Sequence, residues 1–278
     1  MKKFTKEFLG ESSNADDCEI INPEIIDFEI DKNTDELIAT TEDAIVIVNH
    51  SLGYKIKAYL KDFVWSRSGD DGRFQIYPLF EELNSTDEKE KNNWQINRLD
   101  TYKGSFRHFL KSCAEGKVYE EGFRLMRSYV NPRLIYSDRS DSLSRQKKID
   151  LDTLLYPRIK KNSEDEYCAI YGGLIQVVYL RNGEELNYNN YREKLIGNAS
   201  FNILKEFTLK REKNITGIKP HQSSWIIFPS GELYFNRNGI CSDVSPYGKK
   251  FAGYWAWKRV ADLLPYDYKY SLSDESIK

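Results

Sequence analysis

Between Tyr54 and Lys61 the chain alternates without a break: Tyr54, Ile56, Ala58 and Leu60 occupy one register, and Lys55, Lys57, Tyr59 and Lys61 the other. A period of two sends successive side chains to opposite faces of a strand. This stretch therefore fits an antiparallel strand with one dry face and one wet face. The surrounding residues repeat the pattern. Ile26, Phe28 and Ile30 alternate with Asp27 and Glu29, and Asp31 to Asp35 reads as a turn. Leu37 to Thr41 forms the return strand, followed by Ala44 to Asn49. Arg67 to Gly72 is a loop, and Arg73 to Leu79 restores a strand. The segment from Cys18 to about Leu79 is expected to be a β-meander.

Elsewhere the period is helical. Residues 2 to 9 place Phe4, Phe8 and Leu9 on one side of a short helix. After the charged stretch Asn84 to Asn93, apolar residues recur in steps of three and four at Leu99, Tyr102, Phe106, Phe109, Leu110 and Cys113, and Gly116 ends that helix. A second β section is expected beyond it. It comprises a strand at Cys168 to Tyr179, a hairpin signal at Asn182-Gly183, a strand at Phe201 to Lys210, and a hairpin joining Trp225–Phe228 to Glu232–Phe235 through Pro229-Ser230-Gly231. Tyr254, Trp257, Val260, Ala261 and Leu264 would line a terminal helix that stops before Pro265. Strands, central amphipathic helices, more strands and a C-terminal helix give an α+β fold with antiparallel sheet. The expectation is a single α+β domain over 1–278. It has two candidate lobes, 1–132 and 166–278, around a polar excursion at 137–165.

The longest apolar run, Ala44 to Val48, is far shorter than the roughly 18 to 20 residues that cross a bilayer as a helix, so no transmembrane helix is expected. Forty-one Lys and Arg against 43 Asp and Glu leave a net charge of -2, and no nucleic-acid partner is expected. The one basic cluster, Arg145 to Lys148 with Arg158 to Lys161, has few aromatic neighbours and reads as a solvated loop. Residues 1 to 11 have no apolar core of the signal-peptide kind. The four cysteines form no C-x-x-C pair and read mostly as buried free thiols.

Motifs that carry chemistry are sparse. None of His50, His108 and His221 begins an H-x-x-E or H-E-x-x-H pattern, and the chain holds no G-x-S-x-G elbow, P-loop or G-x-G-x-x-G fingerprint. Gly172-Gly173 reads as a strand bulge. No metal or other cofactor is expected. The weak catalytic candidate is His108 with Glu81 or Glu82, weighed against a hydrogen-bonded structural imidazole. The aromatic content is the stronger signal: 19 Tyr and five Trp, crowded towards the C-terminus. Amphipathic rings of this kind cover binding surfaces for sugars, peptides or proteins, so Tyr247, Tyr266 and Tyr268 are the candidate ligand-binding residues. The alternative is a core shared by helix and sheet, with phenol hydroxyls at its rim.

Several blocks carry a resemblance. They are Lys6 to Ala15 with Cys18, Ile20, Asn22 and Pro23; Ser51 to Ile56; Tyr77 to Leu83; Asn97-Arg98, Tyr102 to Ser105, Arg107 to Leu110 and Gly122-Phe123; and Gly253 to Trp255, Arg259 to Pro265 and Tyr268. In this order they resemble the region that follows carboxypeptidase-D regulatory-like domains in exported bacterial envelope proteins. That region's activity is unassigned, so no catalytic residues carry over. The resemblance implies a place in the periplasm or cell envelope, although the sequence lacks the leader and the β-sandwich that usually open such proteins. The functional expectation is a non-catalytic module binding a partner protein or a polymeric ligand such as a polysaccharide. The alternative is a hydrolase of glycans or peptides with a His/carboxylate site.

Overall fold

The computed structural model describes residues 1–67, 72–128, 158–170, 174–188, 221–227, 232–241 and 250–270. The chain forms two compact units, Met1–Thr101 with Lys258–Lys278, and Tyr102–Trp257. Antiparallel sheets and helices in both make the fold α+β. The boundaries differ from the expected lobes at 1–132 and 166–278. The first division falls at the end of a helix, and the chain re-enters the first unit after Trp257.

The first unit is built on a six-stranded antiparallel sheet: β1 (Cys18–Ile20), β2 (Asp27–Asp31), β3 (Glu36–Thr40), β4 (Ile45–Asn49), β5 (Tyr54–Ser66) and β6 (Gly72–Glu82). β5 is long enough to hold β4 along its first half and β3 near its far end, while β6 pairs along nearly its whole length on the other side. The alternation of Tyr54 to Leu60 faces the core as expected. At Lys61 a bulge shifts the register, so that Leu60 pairs with Ile76 and Asp62 with Gln75. One extra residue reverses the parity. Beyond it Phe63 and Trp65 face inward, which is why Phe63-Val64-Trp65 shows no clean period in the sequence.

Helix α1 (Lys2–Leu9) covers the inner face of this sheet. Phe4 and Phe8 stack 4.8 Å apart and meet Phe63 at 4.7 Å and Phe74 at 5.5 Å. A one-turn helix α2 (Ser13–Asp16) follows, and a charged, 15-residue helix α3 (Glu88–Tyr102) closes the unit's first segment. α3 is anchored by Trp94, whose Nε1–H donates to the His50 carbonyl at 2.8 Å. Its ring lies where a side chain on Gly53 would sit, 2.2 Å from an added Cβ.

The second unit contains helix α4 (Phe106–Glu115) and two sheets. One sheet has the order β13 (Lys250–Gly253), β11 (His221–Ile227), β10 (Leu174–Gly183), β7 (Phe123–Ser128). The other has β12 (Glu232–Phe235), β9 (Tyr167–Ile170), β8 (Arg158–Lys161). Phe109, Leu110 and Cys113 of α4 pack with Phe123, Leu125, Val177 and Phe235 in its core.

The structure departs from the local patterns where one residue or a distant pairing overrides them. The single helix expected through Leu99 and Cys113 is two helices, because Gly104 takes a left-handed φ of 80° and Ser105 caps a new start. The strand expected over Cys168 to Tyr179 is two strands in different sheets. Asn182-Gly183 is no hairpin: β10 runs through Gly183, which pairs with His221 after a register shift. The Trp225–Phe235 hairpin does not pair, since β12 joins β9 while β11 joins β10 and β13. The terminal helix is a single turn, α5 (Tyr254–Trp257), then a separate 3-10 turn at Val260–Asp262. Arg158 to Lys161, read as loop, is strand β8. Most of the polar excursion, Gly172-Gly173 and the strand expected at Phe201 to Lys210 lie outside the described residues.

Candidate functional site

His108 is set by the break between α3 and α4. The Ser105 Oγ accepts from the His108 backbone N–H at 3.1 Å, which starts α4 and turns the imidazole back onto the preceding loop. There Nδ1 accepts from the Gly104 N–H at 3.1 Å. With Nδ1 an acceptor, the ring proton belongs on Nε2, which faces Glu121 Oε2 at 3.3 Å. Tyr102, Phe123 and Tyr179 surround the ring at 5.1, 5.0 and 5.7 Å.

Burial, with smaller contributions from Lys111, Lys103 and Arg181, pushes this histidine down to about 3, so the ring is neutral at pH 7. One nitrogen is spent on backbone and the other on Glu121, and the residue is 2% exposed. Such an imidazole ties a helix start to a loop and has no lone pair left to accept a proton from a substrate. A folded value below the ordinary one means that the unfolded chain binds more protons. His108 therefore contributes stability at neutral pH that is lost as the pH falls from 6.5 towards 3. Between about pH 6.5 and 5 the wild type should lose about 2 kcal/mol more than His108→Gln, measured by urea unfolding at each pH. Equal slopes would exclude a buried neutral ring.

Within its own unit the acid that meets His108 is Glu121. Glu81 and Glu82 lie on β6, in the other unit. Glu81 takes Lys57 at 2.6 Å, whose hydrogen bond holds its carboxyl below the usual range, and Lys55 at 3.9 Å. Glu82 binds Arg98 at 2.9 Å. Glu121, the acid that does meet His108, sits in a turn 13 residues downstream and carries no motif in the sequence. Among the described residues no group of His, Cys, Asp and Glu could hold a metal ion. The cysteines are free thiols. Burial, with Asp262 and Asp17, pushes Cys18 up to about 12, and burial raises Cys113 and Cys168.

A second polar cluster lies within the first unit. Asn14 Nδ2 donates to Thr101 Oγ1 and Asp262 Oδ1, both at 2.9 Å, and Asn14 Oδ1 accepts from Ser51 Oγ at 2.7 Å. Asn97 Nδ2 donates to the Ser51 carbonyl, and Asn49 bridges Leu52 and Ala261. The Ser51 hydroxyl is held between two amides. No base touches it, so the cluster binds chain segments together and does not activate a nucleophile. Beside it, Arg259 donates to both the backbone carbonyl and the carboxylate of Glu7, and its guanidinium lies 4.6 Å from the Trp65 ring centroid.

The C-terminal aromatics divide. Trp255 donates to the Gly104 carbonyl at 2.7 Å inside the second unit's core, and Tyr254 and Trp257 pack against Tyr188. These rings are core. Tyr266 is 61% exposed and Tyr268 is half-buried, while Tyr247 lies outside the described residues.

Among the described residues, the largest set of exposed apolar side chains on neighbouring strands is elsewhere, on the outer face of β5 and β6. Tyr59 is 45% exposed, Tyr77 55% and Leu79 56%. Tyr59 pairs directly with Tyr77, and Leu79 with Lys57. Lys61 reaches over the Tyr77 ring, 5.7 Å from its centroid. The period of two placed Tyr59 on the wet face. Its pairing with Tyr77 follows from the β5–β6 register. Comparison of the chain with protein families, with curated proteins and with solved structures finds no match.

Proposed function

We propose that this chain is a non-catalytic binding module that docks a partner protein on the outer face of β5 and β6. The observation that carries the reading is the cross-strand set Tyr59, Tyr77 and Leu79, each about half exposed on adjoining strands. Rings that are amphipathic and rigid supply contact area at low entropic cost, and paired across a sheet they present a flat apolar platform rimmed by lysines. Docking uses the face and not the strand edge. β6 pairs with β5 alone among the described strands, and Pro78 at its middle has no N–H to offer an added strand. The resemblance to envelope proteins supports a partner on the periplasmic side, and Tyr266 and Tyr268 are proposed as a lesser, separate contact.

The test is the triple variant Tyr59→Ser/Tyr77→Ser/Leu79→Ser. Because these side chains are exposed, its thermal midpoint should stay close to wild type. Its capture of protein from a cell-envelope extract should fall by at least about tenfold, the loss of two or three hot-spot contacts. Undiminished capture by a folded triple variant would overturn the reading. The hydrolase alternative requires His108 to work as an acid or base, and the two hydrogen bonds to its nitrogens speak against it.

A further inference from the structure

We infer that the open edge of β2 takes an added strand from a partner, an extended segment in which lysine or arginine alternates with apolar residues. This site is separate from the β5–β6 platform, because β3 and β6 flank β5 on opposite sides and β2 lies beyond β3. The Arg67 N–H donates to the Asp35 carbonyl at 3.1 Å, one step beyond the Glu36–Ser66 pair. In an antiparallel ladder that bond makes Glu36–Ser66 a non-hydrogen-bonded pair. Leu37 then turns its main-chain groups to β5, while Glu36, Ile38 and Thr40 turn theirs to β2. Their partners Asp31, Glu29 and Asp27 spend their own N–H and C=O groups on β3. Phe28 and Ile30, the residues between, turn theirs to the open side, where no described strand pairs.

The side chains of this edge divide by face. Phe28 meets Phe4 of the inner layer at 5.5 Å between ring centroids, so Phe28 and Ile30 stand on the inner face. They remain 38% and 45% exposed. Asp27, Glu29 and Asp31 stand on the outer face. Their neighbours there on β3 are Thr40, Ile38 and Glu36, which bring no cation. Arg67, beside the hairpin turn, is taken by Asp35 at 2.8 Å. The sheet's other margins are defended: β6 carries Pro78, and β1 ends after three residues, shortly before Pro23. β2 holds no proline, glycine or bulge.

A strand laid against β2 would bond the free main-chain groups of Phe28 and Ile30, the source of affinity when a peptide extends a sheet. Its inward side chains would fall beside Phe28 and Ile30, and its outward ones beside Asp27, Glu29 and Asp31. Apolar residues suit the first set and lysine or arginine the second. The alternation of β2 thus selects the complementary alternation in its partner. A second β2 would set carboxylates against carboxylates, which disfavours self-pairing.

Fluorescence anisotropy of a labelled KVKIKVK peptide with the full chain, at about 0.1 M salt, tests this. Saturable binding is expected. The isomer KKKKVIV has the same charge without the alternation and should bind at least about tenfold more weakly. Asp27→Asn/Glu29→Gln keeps the side-chain shapes and should weaken KVKIKVK at least about fivefold, the loss of two exposed charge pairs. Ile30→Pro removes an N–H that β3 does not use, so it should fold, with a thermal midpoint near wild type, and lose binding at least about tenfold. Ile30→Val keeps that N–H and should bind as wild type. A wild type that does not bind KVKIKVK overturns the inference. Equal affinity for the two isomers does so as well, since bulk charge alone would explain it, as does a folded Ile30→Pro that binds undiminished. Should Ile30→Pro fail to fold, Asp27→Asn/Glu29→Gln decides, and unchanged affinity there sinks the inference.

Discussion

Arg259→Met is expected to cost about 3–5 kcal/mol of folding stability, the range for removing one partner from a buried ion pair. The guanidinium is buried, and three interactions depend on it. It donates to the Glu7 carboxylate. It donates to the Glu7 backbone carbonyl, one of the last in α1 and without an i+4 partner inside the helix. Its flat face also covers Trp65. Removing it leaves a carboxylate that is 1% exposed with only Lys3 at 3.1 Å and Lys6 at 3.7 Å.

The double variant Glu7→Leu/Arg259→Met should recover most of the loss, because apolar groups of similar volume replace the pair without stranding a charge. Denaturant unfolding of the three proteins measures this, and a cost below about 1 kcal/mol for the single variant would show the pair to be incidental. The acid side gives a second readout. Burial raises the Glu7 carboxyl, but the charge and hydrogen bond of Arg259, with those of Lys3, outweigh it and hold the group below its ordinary 4.5. That stabilisation is complete above pH 4.5 and is lost as the pH falls through the lowered folded value. Glu7→Gln should flatten that part of the profile.

Gly239→Ala is expected to destabilise the second unit by about 2–4 kcal/mol, while Gly116→Ala costs about 1 kcal/mol. Both glycines have left-handed φ, 74° and 71°. What separates them is the space around the missing side chain. A Cβ on Gly116, at the C-terminal end of α4, meets nothing within 4 Å. A Cβ on Gly239 would lie 2.2 Å from the Arg107 carbonyl oxygen and 2.8 Å from the Lys111 nitrogen, both main-chain atoms of α4 that cannot swing away.

The loop that carries Gly239 is also fixed. Asn236 Oδ1 accepts from the backbone of Asn238 and Ile240 at 3.0 Å, and Arg107 Nε donates to the Asn238 carbonyl at 3.2 Å. Neither side of the contact can yield without breaking these bonds. Thermal unfolding of the two variants side by side checks the difference, and equal shifts would mean that the loop is free to move off the helix.

The sequence was most legible where a short period operates alone. α1 follows from Phe4, Phe8 and Leu9, and the first half of β5 from its strict alternation. The turn at Asp31 to Asp35 follows from its polar residues. It was least legible where a single residue changes the rule. Lys61 resembles any other exposed lysine, yet as a bulge it reverses the inward face of β5. Gly104 sits inside a spacing that reads as one helix and divides it into two. Partner choice was hidden as well, since β12 beside β9 and β11 beside β10 depend on long-range register that no local pattern encodes.

For the site, composition announced an aromatic surplus and the spacing placed Tyr59 on a wet face. The crowding near the C-terminus pointed to other rings, of which Tyr254, Trp255 and Trp257 are core. Local chemistry, read along the chain, determined most of the element types, the solvent-facing registers and the absence of familiar catalytic motifs, because those depend on neighbours within a few residues. Only the tertiary structure decided that His108 meets Glu121, that Arg259 meets Glu7, and that the lysines of β5 and the acids of β2 share one face. Such pairings are fixed by packing and strand register, which bring together residues up to about 250 positions apart whose sequence separation carries no energy of its own.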